Sequence, residues 1–175
     1  MKYILPFIIA AVLASCSEGG AGIKEQYEIA ESAAVQRLKS GSGGGTAVAI
    51  ERLGPNPRSA DWSRVLVHQG PKILRVGLMD ISNEAGRDYA TMEAAPIGQT
   101  LGARLTLRLT VPPSLNRKLR QMEEGRGLLL SGLVASVNID EVQSQIVGDG
   151  EGGTEATSVA LGSLNGLEEI ARPVH

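Results

Sequence analysis

Aromatic rings are nearly missing from this chain, which has one Trp, three Tyr and one Phe in 175 residues. An outer-membrane β-barrel needs a girdle of such rings at each membrane interface. A single-strand nucleic-acid platform needs them for base stacking, and a carbohydrate cleft uses them in the same way. All three are disfavoured. Histidine is as rare, with only His68 and His175, and Cys16 is the sole cysteine. The usual zinc ligand sets cannot be assembled from that inventory, nor can an intramolecular disulfide form. The formal net charge of -2 lacks the basic excess of a nucleic-acid binder. Long apolar runs are missing too. Tyr3 to Val12 is the longest, about half of the roughly 20 residues that span a bilayer, and Pro6 interrupts it.

What is present begins with an address. Lys2, the apolar run Tyr3–Val12 and small residues at Ala14 and Ser15 have the three parts of a secretory signal over residues 1–15. Leu13-Ala14-Ser15-Cys16 resembles the lipobox of bacterial lipoproteins. The resemblance implies diacylglycerol on the Cys16 sulfur, cleavage between Ser15 and Cys16, and acylation of the new amino terminus. Two or more buried chains anchor a protein firmly where one does not. It implies a membrane partner reached through lipid on Cys16, and Ser17 in place of Asp points to the outer membrane, facing the periplasm. Residues 16–22 then form a lipidated tether.

Ile23, Tyr27, Ala30, Ala34 and Leu38 recur at helical spacing. Lys24, Glu25, Glu28, Glu31, Arg37 and Lys39 are assigned to the opposite face, so residues 23–39 read as an amphipathic helix. Residues 40–45, Ser-Gly-Ser-Gly-Gly-Gly, read as a flexible linker. From Thr46 strand signals dominate a single globular domain over 46–165. Strands are expected at Thr46–Leu53, Arg64–His68, Lys72–Ile81 and Leu101–Val111, with Tyr89–Ala94 either a strand or a connection. In Leu101–Val111 the apolar and polar residues alternate strictly, giving one buried and one wet face. Pro112-Pro113 ends it. Ser114 is expected to cap a helix over Leu115–Glu124, stopped by Gly125. Leu128–Ile139 returns as a strand, Glu141–Val147 continues it after a bend, and Ser158–Leu161 is a last edge strand. Residues 166–175 read as a loose tail. The expected class is α+β, a mainly antiparallel sheet with an N-terminal amphipathic helix and one short helix between two long strands. An all-β sandwich with minor helices is the alternative.

Chemical motifs fail on inspection. Gly148-Asp149-Gly150-Glu151-Gly152-Gly153 matches the glycine spacing of a dinucleotide loop, but its two acids would repel a pyrophosphate. It reads as part of a solvated loop over 148–157, and the calcium alternative lacks ligands. His68 is the one candidate general base, and no Gly-x-Ser-x-Gly elbow accompanies it. Charge is unevenly spread. Arg104, Arg108, Arg117, Lys118, Arg120 and Arg126 stand against Glu123 and Glu124, whereas Gly127–Ala171 holds seven acids and no Lys or Arg. Such asymmetry speaks to association. Arg104 and Arg108, on the wet face of the clearest strand, are the candidate binding face.

The sequence therefore predicts a lipid-anchored cell-envelope protein that acts by binding, as an accessory or assembly subunit of an envelope complex. No catalytic residues, cofactor, metal or nucleic acid are expected, and a protein partner is. The alternatives are a small periplasmic hydrolase using His68 and a carrier for an apolar ligand.

Overall fold

A computed structural model describes residues 21–41, 43–54, 56–98, 103–122, 132–148 and 154–170. The signal segment, Cys16, Gly125 and the acidic glycine run at 149–153 lie outside the described residues. The elements are α1 (Ala21–Ser40), β1 (Thr46–Ala47), a single 3-10 turn at Ile50–Arg52, α2 (Ser59–Leu66), β2 (Lys72–Glu84), β3 (Arg87–Ala95), β4 (Leu105–Thr110), α3 (Pro113–Arg120), β5 (Leu133–Gly148) and β6 (Thr154–Glu169).

Strand pairing is closed. β2 pairs with β3 and β3 with β4, both antiparallel. β4 pairs with β6 in parallel, β6 with β5 antiparallel, and β5 returns to β2 antiparallel. β1 lies parallel beside the start of β2, and Ile97 N–H donates to Val48 O at 3.2 Å just beyond it. Taken in chain order from β2, the barrel strands run one-two-three-five-four and back to one, with a helix between the third and fourth. That is the arrangement of an OB-type, five-stranded Greek-key barrel.

The expectation of an α+β open sheet is overturned by this closure. The chain is mostly β, and the all-β alternative is the nearer one, although a barrel and not a two-sheet sandwich is built. Closure needs strong local coiling, which bulges supply. Registers shift at Leu78/Asp80 in β2 and at Ser136/Val137 and Ile139/Glu141 between β5 and β6. Gly162 permits the close approach of β5. A Cβ there would lie 2.0 Å from the Asn138 carbonyl oxygen.

Alternation fills the interior with Leu74, Val76, Leu78, Ala90, Met92, Leu105, Leu107 and Leu109, all at most 2% exposed. The ends are plugged by helices. α2 inserts Trp62, Val65 and Leu66, and Ser59 Oγ lies 2.8 Å from Ser158 Oγ. α3 inserts Leu119, and Lys118 Nζ donates to Leu167 O at 2.5 Å. Ser158 and Leu167 are nine residues apart on one strand, so the two helices sit about 30 Å apart along it.

Several expected boundaries move. Arg64–His68 is mostly α2 and not a strand, because Trp62, Val65 and Leu66 share a helical face. Arg58 N–H donates to Asp61 Oδ2 at 3.0 Å to cap it. Thr46–Leu53 is a strand only at its first two residues. Ser114 lies inside α3, which starts at Pro113 with Pro112 as its N-cap. Ser158–Leu161 lies within β6, which is no edge there because it is flanked by β4 and β5. The tail from residue 166 is not loose at its start, since β6 runs to Glu169 and Ile170 is buried.

The glycine linker is a strap. Ser136 Oγ, buried, donates to Gly43 O at 2.8 Å, Gly44 N–H donates to Leu38 O, and Thr46 N–H to Pro71 O. A Cβ at Gly43 would lie 3.2–3.3 Å from Ser136, Gly166 and Leu38 atoms. Glycine is needed here for close approach and not for flexibility.

Candidate functional site

The pleat that sends Leu105, Leu107 and Leu109 inward sends Thr106 and Arg108 outward, with Arg104 exposed just before them. β3 contributes Tyr89, Thr91 and Glu93 to the same surface, in register as Tyr89↔Thr110, Thr91↔Arg108 and Glu93↔Thr106. Arg104 and Arg108 therefore share a face, as the alternation predicts. In barrels of this type the second and third strands, here β3 and β4, carry the ligand face.

That face is neutralised from within. Arg104 Nη1 donates to Glu93 Oε1 at 2.5 Å. Arg108 Nη2 donates to Glu84 Oε1, and its guanidinium carbon lies 5.1 Å from the Tyr89 ring centroid. Exposed pairs of this kind contribute about 0–1 kcal/mol, but each cation already has its counter-ion, and Tyr89, the one ring on the face among the described residues, already lies under a cation. A base-stacking groove needs free rings and unanswered positive charge.

Two more basic residues of the cluster, Lys118 and Arg120, are answered in the same way. Lys118 Nζ lies 3.3 Å from Glu168 Oε1. Arg120 Nη2 donates to Asp88 Oδ1 at 3.0 Å and its Nε to Asn116 Oδ1 at 2.6 Å. Asp88 is the hub of this end. It also accepts from Asn83 Nδ2 at 2.9 Å and from Asn116 Nδ2. The Asn83 hydrogen bond holds its carboxyl below the ordinary range. Desolvation works against that, and Arg120 and Asn116 reinforce it. The hub ties the β2–β3 turn to α3. In that turn Ala85 and Gly86 both have positive φ, as a two-residue hairpin of this hand requires.

His68 is exposed, in the turn after α2, with φ of 54°. Val67 just before it is bridged to Ile139. Among the described residues no three His, Cys, Asp or Glu side chains gather as a metal set. Where an apolar cargo would sit, the barrel interior holds its own leucines.

Compared with family models, curated proteins and solved structures, the chain matches none. Its reading rests on its own geometry.

A second polar constellation escaped the sequence reading, beneath α1. This helix packs Ala34, Val35 and Leu38 on Ile73, Val134 and Ile170, outside the barrel. Glu31, assigned to the wet face by its charge, is only 3% exposed, as is Arg75 on β2. Glu31 Oε2 accepts from Gly98 N–H at 3.0 Å, while its Oε1 is buried without a hydrogen-bond partner among the described residues. The Arg75 guanidinium carbon lies 4.8 Å from the Tyr27 ring centroid. Burial raises the Glu31 pKa, the Arg75 charge and the Gly98 hydrogen bond oppose the rise, and Glu28 adds to it. Burial likewise raises the Tyr27 hydroxyl, against the pull of Arg75. The signal was in the spacing. Glu31 falls four residues after Tyr27 and three before Ala34, on the stripe itself.

Proposed function

We propose that this protein is a lipid-anchored envelope subunit whose barrel acts by binding a protein partner on its outer surface. The observation that carries the reading is the filled barrel. Its interior is packed by its own side chains and both ends are stoppered by helices, so the available chemistry lies outside.

The way α1 is held supports the anchored part. Only four residues lie between Cys16 and Ala21, and the five steps reach at most about 17 Å. α1 is clamped to the barrel through its second half, and Arg37 donates to Glu168 Oε2 at 3.2 Å and to Glu169 O at 2.9 Å. A lipid on Cys16 would thus hold the barrel close to the bilayer on a rod about 30 Å long. No helix among the described residues is long and apolar enough to cross a membrane, and the apolar face of the barrel points inward, the reverse of a membrane-spanning barrel.

The test is crosslinking in intact cells, detergent extraction and mass spectrometry, with Cys16→Ala beside the natural chain. The expected outcome is a discrete set of envelope proteins that the variant loses. An absence of partners from both samples would sink the reading.

A further inference from the structure

β5 and β6 outlast the barrel they help to close. β5 meets β2 only over Leu133–Val137, and β6 meets β4 only over Val159–Ser163, yet their mutual ladder continues to Gly148↔Thr154. Val67 fills the slot beside Ile139 through a single bridge. From Asp140 to Gly148 the second edge of β5 pairs with no strand among the described residues, an open ladder about 30 Å long.

Two-stranded ribbons are marginal alone in water. Free edges are usually blunted by lysine, proline or a bulge. None of these protects Glu141–Gly148, whose Val142, Ile146 and Val147 favour strand pairing. The nearer of the two β5–β6 bulges lies at Ile139/Glu141, where the free edge starts.

Charge selects the occupant. From Asp140 to Val159 the chain carries Asp140, Glu141, Asp149, Glu151 and Glu155 and no Lys, Arg or His. Asp140 and Glu141 are exposed and enter no ion pair among the described residues. Arg104, Arg108, Lys118 and Arg120 of the basic cluster are thus met by carboxylates within the chain, whereas Asp140 and Glu141 on this ribbon face no cation among the described residues. A second copy pairing edge to edge would bring no Lys or Arg to answer Asp140 and Glu141, because the segment holds neither. We infer that the free edge of β5, residues 140–148, takes up an extended Lys/Arg-bearing segment of a partner protein as an added strand. Backbone hydrogen bonds would give the affinity and the acidic flank the choice of sequence. The inference rests on the binding reading and names the partner's chemistry.

The full-length protein in detergent is titrated with a labelled peptide of alternating valine and lysine that covers the length of 140–148. The controls are a valine–glutamate peptide and a proline–lysine peptide, the latter keeping the charge but lacking strand geometry. The valine–lysine peptide should bind at least about tenfold more tightly than either, and Gln143→Lys/Gln145→Lys should remove that preference without lowering the melting temperature. Equal binding of the proline–lysine peptide would reduce the effect to diffuse charge attraction and overturn strand addition. Equal binding of the valine–glutamate peptide would overturn the basic preference, and no binding at all would overturn both. A photo-crosslinker at Ser144 in cells separates the two levels. Partners captured through other surfaces but not at Ser144 defeat this inference and leave the binding reading standing. Capture of a second copy at Ser144 defeats it as well.

Discussion

α1 and α3 each meet the barrel where a carboxylate feels a guanidinium, Glu31 with Arg75 and Asp88 with Arg120, and the two seams work by opposite physics. Under α1 the carboxylate of Glu31 is dry, one of its oxygens has no hydrogen-bond partner among the described residues, and burial drives its pKa up. Beside α3 the carboxylate of Asp88 takes hydrogen bonds from Asn83, Asn116 and Arg120, and its pKa is driven down. A raised carboxyl costs stability once it ionises, whereas a depressed one contributes stability as long as it stays ionised. The α1 seam is therefore held by packing in spite of its charges, and the α3 seam is helped by them. Acid should tighten the first and loosen the second.

The largest effect that would break this contrast is at Arg75. Arg75→Met leaves Glu31 buried without the cation that opposes its desolvation, and should cost about 3 kcal/mol in urea unfolding. Adding Glu31→Met should recover most of that loss. If the double variant is as unstable as the single, the two charges are not coupled and the seam has been misread.

Next comes Gly166→Ala, beneath the same helix. Its Cβ would lie 2.9 Å from Leu38 Cδ2 and 3.0 Å from Gly43 Cα, so overpacking should cost about 1–3 kcal/mol. Gly22, at the far end of α1, has nothing within 4 Å of such a Cβ. Gly22→Ala should cost nothing in the same assay. Equal effects at the two sites would return residues 40–45 to the status of a free linker.

How much of this was legible follows from what each sequence signal reports. Period two in Leu105–Leu109 reports which face is buried, and it placed Arg104 and Arg108 together correctly. It does not report whether the first and fourth barrel strands meet, because closure depends on bulges and on the glycine at 162, which leave little trace in hydropathy. Arg64-Val65-Leu66-Val67 has strand composition, but helical spacing from Trp62 prevailed because those three side chains stopper the barrel. Glycine at 43 gives the same compositional signal for a loose linker and for close approach. Glu31 was placed by residue type when its position on the stripe said otherwise. The charge asymmetry is plain along the chain, but which of its charges are neutralised is a matter of three-dimensional neighbours.

A smaller effect is expected at the α3 seam. Asp88→Asn removes the charge that Asn83, Arg120 and Asn116 address, and should lower the melting temperature at pH 7 by at most a few degrees. Because the folded carboxyl titrates below the unfolded one, the deficit should persist down to about pH 4. It should vanish as pH falls further through the depressed value, where the natural chain loses the same charge. A deficit that persists in full acid would mean that Asn at this position disturbs packing and that the network is not electrostatic.

The smallest effect at neutral pH is the most diagnostic. Glu31→Gln keeps an oxygen for the Gly98 N–H and removes a charge that burial disfavours. Stability at pH 7 should therefore change by less than about 1 kcal/mol, in the direction of a gain. The sign appears on acidification. The folded natural chain binds a proton at Glu31 at a higher pH than its unfolded form does, so its stability relative to the glutamine variant should rise as pH falls through the raised folded value. It should level off near pH 4, where the unfolded carboxyl is protonated too. Amide hydrogen exchange, corrected for intrinsic rates, would locate the change. Protection across the second half of α1 should rise toward pH 4 in the natural chain and stay flat in the variant, while α3 amides respond alike in both. A variant that loses several kcal/mol at pH 7 would show that the ionised Glu31 holds α1 down, and the two seams would then work by the same means.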